Sequence, residues 1–302
     1  IIEDLEEQIF IYLKYVLEEA LSLQSLFFYE TIERGINYID TSESYMNGNS
    51  ERIIGRVLKK FGRDKIHVCT KFHLRGKNWN TESIIKSVEA SLKRLGVEVI
   101  DLYQIHWPIP DKDIEEAWQT IADLVKEGKI RYAGVSNFSV KQLKRIQPIH
   151  PVASLQPPYN MIDRGVEEEL LDFCSENNIG VIVYSPMYKG LLTGKFTRER
   201  VENLPVDDHR REDPHFQEPE LSINLELVES LRSIAERNGK TLAQLAIAWV
   251  LRRPEVTAAI VGTRHPSQIE ETAPAGDWVL SQEDIEAIDT LLEERNRKLN
   301  LS

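Results

Sequence analysis

The chain has two cysteines, Cys69 and Cys174, far apart and outside any metal-ligand spacing. That excludes a disulfide framework, argues against a bound metal, and points to a reducing compartment, the cytoplasm. No uninterrupted apolar run is long enough to cross a bilayer. The most apolar early stretch, residues 9–28, is broken by Lys14, Glu18, Glu19 and Gln24. A basic segment leading into an apolar core and a small-residue cleavage site is missing, so no secretory signal is expected. Excess positive charge is missing too: the net charge of −12 argues against nucleic acid as a partner. There is no Gly-x-Gly-x-x-Gly fingerprint, no Walker loop and no low-complexity tract. What is present is an ordinary globular balance, 41% hydrophobic and 28% charged, enough for a large core.

From residue 36 onward, short apolar runs alternate with amphipathic stretches. The runs are 37–41, 66–72, 99–107, 132–138, 154–159, 180–186 and 257–263, each strand-length and rich in Val, Ile, Tyr or Thr. Between them, Ile84, Val88, Leu92 and Leu95 mark one helix face, and Trp118, Ile121 and Val125 another. Thr241 and Gln244 form a capping-box pattern, as do Ser281 and Asp284 ahead of a C-terminal helix. Alternation of this kind implies right-handed βαβ units and a parallel sheet, and seven runs in one domain suit a barrel. A barrel needs an eighth strand from the first 35 residues. There Leu5, Ile9, Leu13, Val16, Ala20, Leu23 and Phe27 recur at spacings of three and four, which predicts helix. The expectation is therefore an α/β (β/α)8 TIM barrel over residues 35–302, with a helical segment over 1–34 and the first strand missing or replaced by helix. The segment 197–221 is polar and contains Pro205, Pro214 and Pro219. Loops of that length are functional or disordered.

Parallel barrels carry their active sites at the C-terminal ends of the strands. Here the first run ends in Asp40, with Tyr45 just beyond, the second in Thr70 and Lys71, the third in His106, and the fourth in Ser136 and Asn137. A tyrosine of pKa about 10 is a weak acid near neutrality; a neighbouring ammonium favours its phenolate. A buried lysine needs a counter-ion, which Asp40 supplies, and a histidine can orient a carbonyl. Together the four make a proton donor for an oxygen becoming an alkoxide. Singly each has a plainer explanation: Lys71 and Asp40 a structural ion pair, and His67, His73 and His106 core histidines.

From about Gly35 to Glu294 the chain resembles the aldo-keto reductases. The segments that carry the resemblance are 35–45 (GINYIDTSESY), 69–72 (CTKF), 100–108 (IDLYQIHWP), 134–138 (GVSNF), 155–160 (LQPPYN), 184–186 (YSP), 190–195 (GLLTGK) and 260–264 (IVGTR). Segments 207–210 and 213–219 are most similar to the bacterial general-stress or glyceraldehyde-reductase branch. The resemblance implies NADP(H)-dependent reduction of an aldehyde or ketone, with Tyr45 as general acid, Lys71 and Asp40 tuning it, and His106 positioning the carbonyl. It implies that Ser136, Asn137 and Gln156 hold the nicotinamide carboxamide and that Tyr184, followed by Ser185, stacks on the ring. Gly190, Leu191, Thr193, Gly194 and Lys195 would contact the pyrophosphate, and the polar segment after them would cover the cofactor. Gly262, Thr263, Arg264, Gln268 and Glu271 would hold the adenosine end, with Arg264 suited to a 2′-phosphate. The sequence departs from the family at the first strand, at Met46 where glycine is usual after the tyrosine, and at Thr272 where asparagine is common. On the same fold the alternatives are a non-catalytic NADP-binding regulatory protein, like the potassium-channel β subunits, or a reductase impaired at its N-terminus.

Overall fold

In the computed structural model, residues 8–12, 31, 34–73, 79–263 and 265–301 are described, the first of these as backbone only. Eight parallel strands close a barrel: β1 (Gln8–Tyr12), β2 (Tyr38–Asp40), β3 (His67–Phe72), β4 (Ile100–Ile105), β5 (Ile130–Ser136), β6 (Ser154–Gln156), β7 (Gly180–Tyr184) and β8 (Val256–Gly262). The seven runs expected to be strands are strands, trimmed at their ends where the backbone leaves the ladder.

The expectation that the first strand is missing or replaced by helix is overturned. β1 lies inside the segment expected to be helical. It pairs Ile11 with Ile39 and Tyr12 with Asp40 on one side, and runs from Gln8 opposite Ala258 to Tyr12 opposite Gly262 on the other. The physical reason is the cost of the alternative. Without β1, both β2 and β8 would present unpaired N–H and C=O groups along an edge. Ile9, Phe10, Ile11 and Tyr12 are all β-branched or aromatic and suit that slot. Residues 1–7 and 13–30 lie outside the described residues.

Two layers of core follow from the period-2 alternation of each strand. Tyr38, Cys69, Leu102, Ile182, Ala258 and Ile260 pack together in the barrel interior. Their strand neighbours, among them Ile39, Val68, Tyr103, Val135, Leu155, Val183 and Val261, join the larger core beneath the helices. The helices are α1 (Asn49–Phe61), α2 (Thr81–Leu95), α3 (Ile114–Lys126), α4 (Val140–Ile146), α5 (Leu170–Glu176), α6 (Arg198–Glu202), α7 (Glu220–Arg237), α8 (Leu242–Leu251), α9 (Pro266–Thr272) and α10 (Gln282–Leu301), and all but α6 bury apolar residues. Asn80 and Ser83 close a reciprocal capping box on α2, and Thr241 and Gln244 do so on α8, each cap worth about 1 kcal/mol. Ser281 accepts from the Asp284 backbone N–H at 3.1 Å to start α10.

The polar segment 197–221 is ordered as short helical turns over a small separate core of Leu191, Phe196, Leu204 and Phe216. Lys189 Nζ donates to Asp213 Oδ2 at 2.5 Å and fastens this cover to the strand-end loop beneath it. Burial pushes the Asp213 carboxyl up, but hydrogen bonds from Lys189 and the His215 backbone N–H outweigh it and hold it below its usual value. Among the described residues no helix is long and apolar enough to cross a membrane.

Candidate active site

The inward-facing positions of the barrel change character along the strands. At the N-terminal end they are apolar, and toward the C-terminal end they become Asp40, Lys71, Gln104, Ser154 and Gln156, all buried. Lys71 Nζ donates to Asp40 Oδ1 at 2.5 Å and to the Thr41 carbonyl at 2.9 Å, and neither side chain of the ion pair is exposed. The same ammonium sits 5.6 Å from the centroid of the Tyr45 ring. The His106 ring meets Tyr45 edge-on at 5.7 Å between centroids. Asp40, Tyr45, Lys71 and His106 therefore converge at one mouth of the barrel, with Tyr45 and His106 half-buried there.

Tyr45 opens a short turn, Tyr45–Gly48, in which Met46, Asn47 and Gly48 all have left-handed backbone (φ 49°, 54° and 77°). Met46 thus occupies the conformation that glycine takes most easily, at some local strain. The turn is braced from below. A Cβ on Gly48 would lie 2.6 Å from Cδ of Arg94, and Arg94 Nε donates to the buried Glu51 at 2.5 Å. Thr70 Oγ1 donates to the other oxygen of Glu51 at 2.6 Å. Glu43 accepts from the His73 N–H at 2.9 Å and from Ser87 Oγ at 2.5 Å. Ser42 Oγ lies 3.2 Å from His106 Nδ1. The same hydroxyl donates to the Lys71 carbonyl at 3.1 Å, so its one proton is committed there.

A second cluster joins this one across β5 to β7. Asn137 (φ 63°) donates through Nδ2 to the His106 carbonyl and to Ser136 Oγ, both at 3.0 Å. Tyr184 OH donates to Asn137 Oδ1 at 2.8 Å, and Ser136 Oγ to the Gln156 carbonyl at 2.8 Å. Burial, with the Asp163 charge adding, pushes the Tyr184 hydroxyl up to about 12, so it remains a neutral donor. Ser185 (φ 57°) turns the chain out of β7, its carbonyl accepting from Asn160 Nδ2 at 3.2 Å.

The remaining expected residues form the rim. Thr193 Oγ1 donates to the Gly190 carbonyl at 2.7 Å, Gly190 and Gly194 have positive φ, and Leu191 is buried under the loop. Gly262 ends β8 opposite Tyr12. Thr263 Oγ1 and the His265 N–H donate to Gln268 Oε1 at 3.3 and 3.1 Å. Lys195 Nζ meets Glu271 Oε2 at 3.0 Å and bridges the two loops. Arg264 lies outside the described residues. Of two tryptophans near strand ends, Trp79 is buried against Phe72, while Trp107 is 39% exposed beside His106.

Sequence reasoning did not single out Ser42, Glu43, Glu51, Arg94 or Gln104. Their partners lie 19 to 64 residues away, and no local spacing marks them.

The Aldo/keto reductase family model matches residues 27–293. The Aldo-keto reductase YhdN of Bacillus subtilis (strain 168) is 40% identical over 270 residues, covering 87% of this chain and 81% of that protein. The glycerol dehydrogenase AKR11B4 from Gluconobacter oxydans superposes with a TM-score of 0.87 at 33% identity, over 95% of this chain and 91% of that one. An aldo/keto reductase from Klebsiella pneumoniae, solved in complex with NADP and acetate, has a TM-score of 0.75 at 25% identity, over 94% of this chain and 91% of that one. With the family match spanning most of the chain and the barrel superposing on theirs, the protein belongs to the aldo/keto reductase family of oxidoreductases.

Proposed function

We propose that this chain reduces an aldehyde or ketone with NADPH, using Tyr45 as the proton donor. The observation that carries this is the buried ammonium of Lys71, fixed by Asp40 at 2.5 Å and set 5.6 Å from the Tyr45 ring. Tyr45 hands its hydroxyl proton to the carbonyl oxygen, and Lys71 stabilises the negative charge left on the phenol oxygen. Asp40 supplies the counter-ion that this fully buried lysine needs. His106, edge-on to Tyr45 at the same mouth, orients the carbonyl.

The rim residues fit a nicotinamide dinucleotide. Gln156 carries an amide oxygen that no described hydrogen bond engages, and Tyr184 offers a half-buried ring in the same cluster. Gly190 and Gly194, both at positive φ, turn the loop that would face the pyrophosphate. In this reading Ser136, Asn137 and Gln156 hold the carboxamide, Tyr184 and Ser185 the ring, and Gly190, Leu191, Thr193, Gly194 and Lys195 the pyrophosphate. Gly262, Thr263, Arg264, Gln268 and Glu271 take the adenosine end. Bound there, NADPH supplies the hydride. The complex of the Klebsiella pneumoniae relative with NADP supports the choice of cofactor. The separate buried thiols of Cys69 and Cys174 suit the cytoplasm.

The test is a fluorescence titration of NADPH and NADH, followed by oxidation of the bound nucleotide with glyceraldehyde. Tyr45→Phe should lower turnover by about 10²–10⁴ while leaving NADPH affinity within about twofold. Turnover that survives in that variant would remove Tyr45 as donor. Nucleotide binding without reduction of any aldehyde would favour a regulatory role.

A further inference from the structure

Gln104 lies near the C-terminal end of β4, fully buried, two residues before His106 and facing the barrel interior. A polar amide there demands partners, and it has three among the described residues. Its Oε1 accepts from Gln156 Nε2 at 3.1 Å and from Cys69 Sγ at 3.4 Å, and its Nε2 donates to Ser154 Oγ at 3.2 Å. Gln156 Nε2 also donates to Asp40 Oδ2 at 2.9 Å. The result is one continuous chain, Lys71–Asp40–Gln156–Gln104–Ser154, across the barrel. The space for it exists because residue 134 is glycine: a Cβ there would stand 2.5 Å from Ser154 Oγ.

The direction of every donor in this chain is fixed at one end. An ionised Asp40 can only accept, so the Gln156 atom facing it must be Nε2. Both protons of that nitrogen are then committed, one to Asp40 and one to Gln104. The only group Gln156 has left is Oε1, an acceptor. Two anchors hold the plane of the amide; with Asp40 alone it could swivel about that single contact.

We propose that Gln104 is a positioning residue, which locks the Gln156 amide so that its oxygen is presented as an acceptor for the amide N–H of a nicotinamide carboxamide, and so ties cofactor recognition to the Asp40–Lys71 pair. This rests on the reductase function proposed above and goes beyond it, since Gln104 touches neither cofactor nor substrate.

Gln104→Met keeps the volume and removes the polar anchor. Leu102→Met, also in β4 and facing the barrel interior, serves as the packing control. Dissociation constants are measured by fluorescence for NADPH and for its reduced 3-acetylpyridine analogue, which replaces the carboxamide NH2 by a methyl group. Wild type should prefer NADPH over the analogue by about fivefold or more, the worth of one hydrogen bond. In Gln104→Met that preference should collapse toward unity through weaker NADPH binding, with the analogue unchanged. The alkaline limb of the kcat/KM pH profile should also move, while Leu102→Met alters neither readout. Equal weakening of both nucleotides, or an unchanged preference, overturns the role of Gln104 while leaving the reductase function standing. A wild-type protein that binds neither nucleotide overturns both.

Discussion

Two buried carboxylates sit on neighbouring parts of the sheet and are treated in opposite ways. Asp40, at the C-terminal end of β2, has Lys71 as its only cation among the described residues, and that lysine is itself withdrawn completely from solvent. Asp101, near the start of β4, is also buried but borrows its cations from the surface. Arg63 reaches Oδ2 at 2.6 Å, the Val68 N–H donates to it at 2.8 Å, Arg131 approaches Oδ1 at 3.2 Å and His67 at 3.9 Å. The two arginines keep their outer faces in water, so their desolvation costs little. Burying both Asp40 and Lys71 costs several kcal/mol per ion before any attraction is counted. A fold that needed only an anchor would use the arrangement at Asp101. The C-terminal face of a parallel barrel is where chemistry is placed and the N-terminal face where stability is. The contrast between the two aspartates follows that division.

The contrast can be broken by mutation. Lys71→Met should have the largest effect: turnover falls by about 10²–10⁴, and stability falls by about 3–5 kcal/mol because Asp40 is left buried without its cation. Denaturant unfolding and a nucleotide-oxidation assay separate the two losses; full activity would show that the pair is only structural. Asp101→Asn should leave turnover within about twofold and cost about 2 kcal/mol, a figure discounted because its arginines are solvent-screened. Its pH dependence has a definite sign. Burial raises the Asp101 carboxyl, but the nearby His67 ring, the Val68 N–H and the Arg63 guanidinium overcome this and hold it below its usual value. A carboxyl depressed in the folded state contributes stability above its unfolded pKa of about 3.9, and that contribution is lost as pH falls through the folded value. The stability gap between wild type and Asp101→Asn should therefore be widest above about pH 4 and shrink under more acidic conditions. Arg131→Ala should do least, under about 1 kcal/mol, since Arg63 and His67 remain. A loss as large as that of Asp101→Asn would mean that one surface arginine carries the whole anchor.

How much of this can be read from sequence depends on how local the signal is. The strands β2 to β8 stand out because each falls between amphipathic helical stretches in a regular alternation. β1 does not, because its apolar residues fall into a longer series spaced by three and four, which reads as helix. Only the ladder to β2 and β8 settles it, and that ladder is invisible in one segment of sequence. Asp40, Tyr45, Lys71 and His106 are legible because consecutive strands end on them. Glu51 and Arg94 are not: a surface-looking helix pair of opposite charge proves to be the brace under the Tyr45 turn. Gln104 reads as one more polar residue in a buried run until the chain through Gln156 is traced. Met46 departs from the usual glycine, and its φ of 49° shows the cost of that departure, a strained residue next to Tyr45. The prolines of 205–219 suggest a loop, whereas Leu204 and Phe216 give that segment a core of its own.

The closing ladder also constrains the order in which this molecule can be made. β1 leaves the ribosome before the other seven strands, yet one of its two partners, β8, is the last strand to emerge. Until Val256–Gly262 is available, one edge of β1 is open and the wall opposite β4 and β5 has no continuity. Contacts this distant along the chain are slow to form and expose strand edges while they wait. The interior chain that holds Lys71 charged can exclude water only once that last seam is sewn, so competence for catalysis arrives with the final strand and not with the residues that perform it.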